Sequence, residues 1–407
     1  MSISQEAKKA FKIGSVCFLS YLAVYVARNT LSAVSPQMIA EGAFTKESVG
    51  TLSSLFFITY AIGQLINGAI GDKIKAKYMM SLGLVLAGIG SALFPLLSDY
   101  PFAVYGAYGL TGFALSMIYG PMTKVVSENT ELVYATRCSL GYTFASFFGS
   151  PFAGILAALF VWQGVFAASS GILIVMGIVC FLVFTLFERK KIIEYGKYQK
   201  PKGQGKAGGI KVLIRHQIVK FTLISILTGV VRTTVVFWLP TYISEYLGFS
   251  PDRAAWIFTV ATFVISLTTF VAIFVYERLH RNMDLVILLA FSASAICFMA
   301  VYWLRQPVLN VIFIVLAIMA SNSAATMLWS RYCPSLRDTG MVSGATGFLD
   351  FVSYMAAAAS STIFANAVSN IGWGNLILVW FGLMVLGVVV ALPYGKFRCK
   401  KAAELKK

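Results

Sequence analysis

Val26-Ala-Arg28-Asn-Thr30 places a positive charge inside an apolar stretch, and Pro36 follows its arginine by eight residues. The pattern returns later in the chain as Val230-Val-Arg232-Thr-Thr234, with Pro240 again eight residues after the arginine. Weak internal sequence symmetry of this kind is typical of duplicated membrane proteins. We therefore predict two equivalent halves, each of which begins with one of these segments.

The composition around these segments is that of a membrane protein. Of the 407 residues, 58% are hydrophobic and 12% are charged, and the mean hydropathy is +0.79, whereas soluble domains have roughly 45–50% apolar and about 25% charged residues. The runs 48–71, 78–98 and 100–123 contain no charge. Each can cross a hydrocarbon core, which takes about 20 helical residues. The sequence therefore predicts an all-α membrane protein.

The apolar runs predict twelve transmembrane helices. The uncharged run 138–187 is too long for one helix and is interrupted at 162–164, and the run 351–395 is interrupted at 366–375. The predicted helices lie near residues 12–38, 48–71, 77–97, 101–127, 135–160, 163–187, 216–245, 252–277, 283–304, 307–331, 339–366 and 373–397.

One long polar interruption divides the chain. Residues 188–215 are predicted to form a flexible, basic cytoplasmic linker between an N-terminal six-helix half, 1–187, and a C-terminal six-helix half, 216–407. Lysines and arginines concentrate on alternate loops and at both termini. By the positive-inside bias, both termini are predicted to face the cytoplasm, in a cytoplasmic (inner or plasma) membrane.

The remaining composition argues against several classes of partner and chemistry. The net charge of +17 is explained by the loop bias, so no nucleic-acid partner is expected. The six cysteines are scattered singly, and His216 and His280 lie far apart without metal-ligand spacing. We expect no catalytic residue, metal or cofactor. The predicted protein is a monomer whose partners are the lipid bilayer and a small solute.

Charged residues inside the predicted helices indicate what that solute is. Arg28 and Arg232 each lie about sixteen residues, roughly 24 Å of helix, from the predicted cytoplasmic start. A central arginine costs about 2.5–3.5 kcal/mol and does not lose its proton. Lys124 adds positive charge, and Asp350 is the one carboxylate in a predicted span interior. Snorkelling or an ion pair with Asp350 stays open, but the positive excess favours an anion that bears phosphate or carboxylate.

Several segments resemble the organophosphate:phosphate antiporter family of the major facilitator superfamily, which includes glycerol-phosphate and hexose-phosphate transporters. Tyr25-Val-Ala-Arg28-Asn29 is similar to that family's helix 1, and Gly120-Pro121-Met-Thr-Lys124 to its helix 4. Arg232 with the segment Trp238 to Glu245 resembles helix 7, and the segment Gly340 to Tyr354 resembles helix 11. The resemblance covers most of the chain. It implies the major facilitator fold and exchange of a phosphate ester for inorganic phosphate by alternating access.

The site residues follow from the charges and from this resemblance. The segment Gly68 to Lys77 is similar to the superfamily's loop 2–3 signature, in which an aspartate can pair with basic residues when the inner side closes. Ser321 and Asn322 are weaker candidates for helix contacts or substrate. The predicted substrate-binding residues are Arg28, Arg232, Lys124, Tyr25, Trp238, Tyr354 and Asn29; the coupling or counter-ion residue is Asp350; the gating residues are Gly68, Asp72, Lys73 and Lys77.

The chain also departs from the family pattern. Asn29 replaces a lysine, the segment 141–151 lacks the family's histidine, Thr262 replaces an acid, and Asp350 stands where small residues are usual. Two alternatives therefore stay open. One is a proton-coupled symporter of a carboxylate such as a sugar acid, with Asp350 as the titrating group. The other is a transporter-like membrane receptor for a sugar phosphate.

Overall fold

The computed structural model describes residues 4–71, 74–195, 214–336 and 342–392, and within these ranges the regular structure is helical, with no β-strand. The prediction of an all-α membrane protein is confirmed. The helices are α1 (Gln5–Ala40), α2 (Lys46–Gly71), α3 (Ala76–Leu96), α4 (Pro101–Leu115), α5 (Tyr119–Asn129), α6 (Leu132–Leu159), α7 (Trp162–Arg189), α8 (Ile218–Gly229), α9 (Val236–Glu245), α10 (Pro251–Ser266), α11 (Thr268–Arg278), α12 (Met283–Trp303), α13 (Pro307–Met327) and α14 (Val342–Ala391).

Ten helices in the described ranges are long and apolar enough to cross a membrane. Three of the twelve predicted spans account for the difference between twelve and ten. The fifth corresponds to α6, of which Phe148–Leu159 is counted as a shorter apolar helix. The last two correspond to α14, which is interrupted at Gly372 with φ 76° and ψ 168°. Glycine adopts this conformation without the strain a side chain would add, so the turn between the two spans needs almost no loop.

Several predicted spans are bent or broken rather than regular. A turn at 116–118 separates α4 from α5, just before Pro121, whose ring and missing N–H disfavour a continuous helix. Leu267 separates α10 from α11, and the Ser266 hydroxyl there donates to the Phe263 carbonyl. Hydroxyl groups that bond back to the preceding turn commonly bend helices.

Two π-helical segments interrupt the C-terminal half. The first, Val230–Val235, joins α8 to α9 and contains Arg232. The second, Leu328–Tyr332, follows α13 and contains Trp329. Such segments carry one extra residue per turn and are frequent at functional sites.

The described residues form two compact units, and the boundaries after Ala356 and after Asn370 fall inside α14. The first unit contains α1 to α7 together with Val236–Ser266 and Ala357–Asn370. The second contains α8 with the first π-helix, the segment Leu267–Ala356, and the helical segment from Ile371 onward. The division into two six-helix halves stays a prediction.

Small residues bring the helices of each unit close together. In the first unit, a Cβ atom added to Gly149 of α6 would lie 2.2 Å from the Cβ of Tyr25. In the second, a Cβ added to Gly229 would lie 2.2 Å from Oγ of Ser353. Close backbone approach at small residues is a main source of helix association in lipid, where there is no hydrophobic driving force between helices. The glycines thus fix the positions of the helices that carry the candidate site.

Candidate functional site

Arg28 lies half-buried in α1 and is surrounded by aromatic rings of the first unit. Its Cζ atom is 5.5 Å from the ring centroid of Tyr25, 5.5 Å from that of Phe57 and 5.3 Å from that of Tyr60. A cation within about 6 Å of a ring face gains about 0.5–1 kcal/mol when exposed and about 2 kcal/mol when desolvated. Three such contacts offset much of the cost of a charge in a membrane span.

We call Tyr25, Phe57 and Tyr60 the aromatic cage. Phe57 and Tyr60 lie about one helical turn apart on α2, so both side chains face α1, the helix that carries Arg28. Tyr25 is three residues before Arg28 on α1 and is fixed by the close approach of Gly149. The cage therefore holds a guanidinium that stays charged at one position in the unit.

A tyrosine cluster adjoins the cage. The ring of Tyr21 lies 5.0 Å from that of Tyr25, 5.6 Å from that of Tyr119 and 6.3 Å from that of Tyr142. Tyr119 begins α5, the helix that also carries Lys124, which is half-buried. The cluster joins α1, α5 and α6, so polar aromatic side chains continue beyond the cage on the side of the predicted helix 4 motif.

Asn29 is engaged by its own helix. Its Nδ2 donates to the carbonyl of Tyr25 over 2.6 Å, as is usual for short polar side chains that bond to the preceding turn. The amide oxygen of Asn29 keeps its accepting capacity. A role in substrate binding stays a prediction for Asn29 and for Lys124.

Trp238 lies in the first unit, on α9, and is 1% exposed. Within the described part of the chain its indole Nε1 is buried and has no hydrogen-bond partner. Its ring packs at Gly50 of α2, where an added Cβ would lie 3.5 Å from Cζ2. A buried N–H without an acceptor is costly, and in native proteins it often marks an acceptor that the protein alone does not supply.

Hydroxyl groups join α1 and α2 to α9 and to the middle of α14 within the first unit. Ser32 Oγ donates to the carbonyl of Phe237 over 2.6 Å, and Ser35 Oγ lies 2.8 Å from Thr241 Oγ1. Ser53 Oγ lies 3.0 Å from Ser361 Oγ. Ser54 Oγ lies 2.7 Å from Thr362 Oγ1 and also donates to the carbonyl of Ala358. We call these five contacts the hydroxyl ladder.

Ion pairing reinforces the ladder at one end. Lys46 Nζ lies 2.8 Å from a carboxylate oxygen of Glu245, and Ser369 donates a hydrogen bond to Glu47. These contacts lie at the end of the unit remote from the N-terminus of α1, because α1 ends and α2 begins there. The C-terminal ends of α9 and of the segment Ala357–Asn370 therefore pack against α1 and α2.

The second unit holds Arg232, half-buried in the first π-helix. Its Cζ lies 6.0 Å from the ring of Trp329 in the second π-helix. Asn322 lies in α13, which leads into this second π-helix. The Oδ1 atom of Asn322 is buried with no hydrogen-bond partner among the described residues. Arg232 and Trp329 therefore form a cation–π pair in this unit.

Asp350 and Tyr354 belong to the same unit as Arg232. Ser225 Oγ donates to the carbonyl of Leu349 over 2.8 Å, and Gly229 packs on Ser353. These contacts fix α8 along the part of α14 that carries Asp350, which is half-buried, and Tyr354, which is 6% exposed.

The predicted gating residues are only partly described. Asp72 and Lys73 lie outside the described residues, and Gly68 lies within α2. Lys77 is buried at the start of α3 and forms an ion pair with Glu188, near the end of α7. Lys75 pairs with the other Glu188 oxygen at 2.5 Å, and this hydrogen bond raises the pKa of Lys75. The carboxylate of Glu188 thus ties the loop after α2 to α7.

Sequence reasoning identified the charges but missed much of their surroundings. It did not single out Phe57, Tyr60, Tyr21 or Trp329. The three-residue spacing of Phe57 and Tyr60 on a predicted helix was an available signal for a shared face. Trp329 had no such signal, because its approach to Arg232 depends on two π-helical segments.

Comparison with known proteins places this chain among transporters. A sequence profile described as the Major Facilitator Superfamily matches residues 17–361. The glycerol-3-phosphate transporter of Bacillus subtilis is 22% identical over 401 residues, which cover 91% of this chain and 89% of that protein.

Two further similar proteins match very different shares of this chain. The membrane sensor protein UhpC of Salmonella typhimurium strain LT2 is 34% identical over 77 residues, and this match covers 19% of the chain but only 17% of the sensor's length. A crystal structure of a D-xylose-proton symporter superposes with a TM-score of 0.72 at 14% identity, covering 94% of this chain and 97% of that one. At this identity the structural likeness shows the fold alone.

Proposed function

Because the chain belongs to the Major Facilitator Superfamily and is therefore a membrane transporter rather than an enzyme, we propose that it exchanges a phosphate ester for inorganic phosphate. The observation that carries this proposal is the caged guanidinium of Arg28. We propose that the protein acts as a monomer in the inner membrane, with both termini in the cytoplasm. The glycerol-3-phosphate transporter, aligned over nearly its whole length, supports the substrate class.

Arginine chemistry favours phosphate as the bound group. A guanidinium presents parallel N–H donors that match two phosphate oxygens at once, and these charge-assisted bonds are roughly twice as strong as neutral ones. The rings of the cage contact the Arg28 guanidinium through their faces, and three such contacts hold the guanidinium at one position. Arg28 and Arg232 occupy corresponding places in the repeated pattern. Each is proposed as a phosphate-binding guanidinium of its own unit.

The organic part of the substrate meets different groups in this proposal. In the first unit the indole N–H of Trp238 is a donor for a hydroxyl or ester oxygen, and in the second unit Oδ1 of Asn322 is an acceptor for a hydroxyl. Both atoms are buried and lack a partner in the described structure. Tyr25 and Tyr354 offer ring faces and phenol groups for a polyol, Asn29 and Lys124 add polar contacts, and Asp350 serves as counter-ion to the positive charges.

Alternating access gives the hydroxyl ladder a role. With the termini in the cytoplasm, the ladder lies at the outer end of the first unit, so the described state is closed there. The five hydrogen bonds of the ladder are individually modest and can break and re-form without a large barrier, since a typical net hydrogen bond contributes about 0.5–1.5 kcal/mol. Gly68, Asp72, Lys73 and Lys77 are proposed to act at the inner end.

The test is exchange in proteoliposomes loaded with labelled inorganic phosphate. We expect external phosphate, and one of the glycerol phosphates or hexose phosphates, to release the label without a pH gradient. Arg28→Lys should lower the exchange rate constant about 10- to 100-fold, because a lysine cannot reproduce the bidentate contact and hydrogen bonds to charged groups are worth about 1.5–3 kcal/mol. Arg253→Lys, an exposed change in α10, is the matched control.

Other outcomes would favour the alternatives. Gradient-driven uptake of a sugar acid with no phosphate exchange would identify a proton-coupled symporter. Saturable binding of a sugar phosphate without any release of label would identify a receptor. The similarity to a membrane sensor protein is the reason to test this alternative. Normal exchange by Arg28→Lys would show that the caged arginine is not the phosphate site.

A further inference from the structure

A groove outside the candidate site runs between the first half of α1 and the first half of α6. Its volume is about 830 Å³, within the range of about 300–1,000 Å³ that is usual for small-molecule sites. The lining is largely apolar, and its central residues are Phe11, Phe18 and Leu19 of α1 with Cys138 and Gly141 of α6.

The apolar lining is unusually exposed. Phe11 is 76% exposed and Leu19 is 49% exposed. A small polar anion would leave these apolar surfaces uncovered, whereas an acyl chain would cover them. Each buried CH₂ group of such a chain contributes favourably to binding.

Among the described lining residues, the positively charged ones lie at one end of the groove. Lys8 and Lys12 line it near the N-terminus of α1, and both are exposed. The lining then continues to Leu19, and Ala7 to Leu19 spans about 18 Å at 1.5 Å per residue. The groove therefore has the polarity of a phospholipid, with a cationic end for a phosphate and an apolar length for a chain.

We propose that this groove binds one anionic phospholipid, with the head-group phosphate held by Lys8 and Lys12 and one acyl chain lying along α1. Basic pockets between transmembrane helices on the cytoplasmic side favour such head groups. The two lysines lie where the positive-inside pattern places the cytoplasmic membrane surface. The site does not use Arg28 or its cage.

Gly141 provides a means to close the groove. A Cβ atom added to Gly141 meets no described atom within 4 Å, whereas one added to Gly14 would lie 2.8 Å from the Cys138 sulfur. Leucine at position 141 therefore fills space that the lipid chain needs without forcing the backbone apart. Gly171 of α7 is the matched control, since its added Cβ also meets nothing within 4 Å and it lies outside the groove.

The experiment measures lipid binding to the purified full chain in detergent by native mass spectrometry. The probes are phosphatidylglycerol and phosphatidylcholine with identical acyl chains, and glycerol 3-phosphate as a head group without chains. We expect one phosphatidylglycerol to bind preferentially. Lys8→Gln with Lys12→Gln should weaken it about thirtyfold, since each interfacial lysine contributes about a fivefold factor. Gly141→Leu should weaken it at least tenfold, and Gly171→Leu should not.

Three results would overturn the proposal. Equal binding of both lipids would remove head-group recognition, and equal effects of Gly141→Leu and Gly171→Leu would place the lipid elsewhere. Competition by glycerol 3-phosphate that the lysine changes abolish would assign the groove to a soluble anion. Size-exclusion profiles and Tm values of the variants check folding, and the double lysine variant keeps the test valid if Gly141→Leu is unstable.

Discussion

At the scale of single residues, the aromatic cage explains how a membrane span retains an arginine. The charge itself was predictable, because Arg28 and Arg232 stand out in apolar runs and a central arginine costs about 2.5–3.5 kcal/mol. The rings of Phe57 and Tyr60 were not, because their contact with Arg28 depends on how α1 and α2 pack. Sequence thus locates a buried charge more readily than the groups that stabilise it.

Two buried tryptophans should respond differently to the loss of their N–H groups. Trp238→Phe removes an N–H that has no acceptor in the described structure, so we expect substrate affinity to fall about three- to tenfold with little change in Tm. Trp162→Phe removes a 2.9 Å hydrogen bond to Glu41 and should lower Tm without changing affinity. Isothermal titration and thermal unfolding measure both quantities. A stability loss confined to Trp238→Phe would contradict the assignment.

Asp350 separates the proposed exchanger from a proton symporter. If it is a counter-ion, Asp350→Asn leaves positive charge less compensated, so Tm should fall by at least about 2 °C and every transport mode should decline together. Stability, accumulation under an imposed pH gradient and homo-exchange can be measured in one proteoliposome preparation. Asp252→Asn, at the exposed start of α10, is the control. Loss of gradient-driven uptake alone would instead assign a coupling proton to Asp350.

At the scale of helices, the apolar runs located the spans but not their irregularities. Pro121 and Ser266 give physical reasons for two breaks, and Gly372 for the turn within α14. The π-helix around Arg232 has no comparable signal, because an i→i+5 pattern is stabilised by tertiary contacts rather than by residue type. The π-helix that carries Arg232 was therefore the irregularity least visible in sequence.

The hydroxyl ladder makes a prediction about helix opening. Ser53→Ala with Ser54→Ala removes the bonds to Ser361 and Thr362, so amides in the segment 357–370 should exchange with deuterium about tenfold faster. Hydrogen–deuterium exchange with mass spectrometry measures this locally. Ser98→Ala, whose hydroxyl donates to the nearby Pro95 carbonyl and lies outside the ladder, should leave the segment unchanged. Unchanged protection in the double variant would mean that the ladder does not hold this end closed.

At the scale of the whole molecule, the charge distribution makes a prediction about orientation. In a variant without native cysteines, a membrane-impermeant maleimide should label Arg305→Cys in intact cells but label His280→Cys only after permeabilisation. Both positions are exposed at loops between helices, and the loop carrying His280 is the basic one. The reverse labelling pattern would invert the proposed topology and place the hydroxyl ladder on the cytoplasmic side.

The unit boundaries also bear on how the chain can be divided. Cutting at the linker would give fragments 1–195 and 214–407, but α9, α10 and the segment Ala357–Asn370 pack with α1 and α2 in the first unit. Alone, the first fragment would present the hydroxyls of Ser32, Ser35, Ser53 and Ser54 to lipid, where unpaired polar groups are costly. Co-expressed fragments should complement each other and survive proteolysis in the cell, whereas either fragment by itself should be degraded.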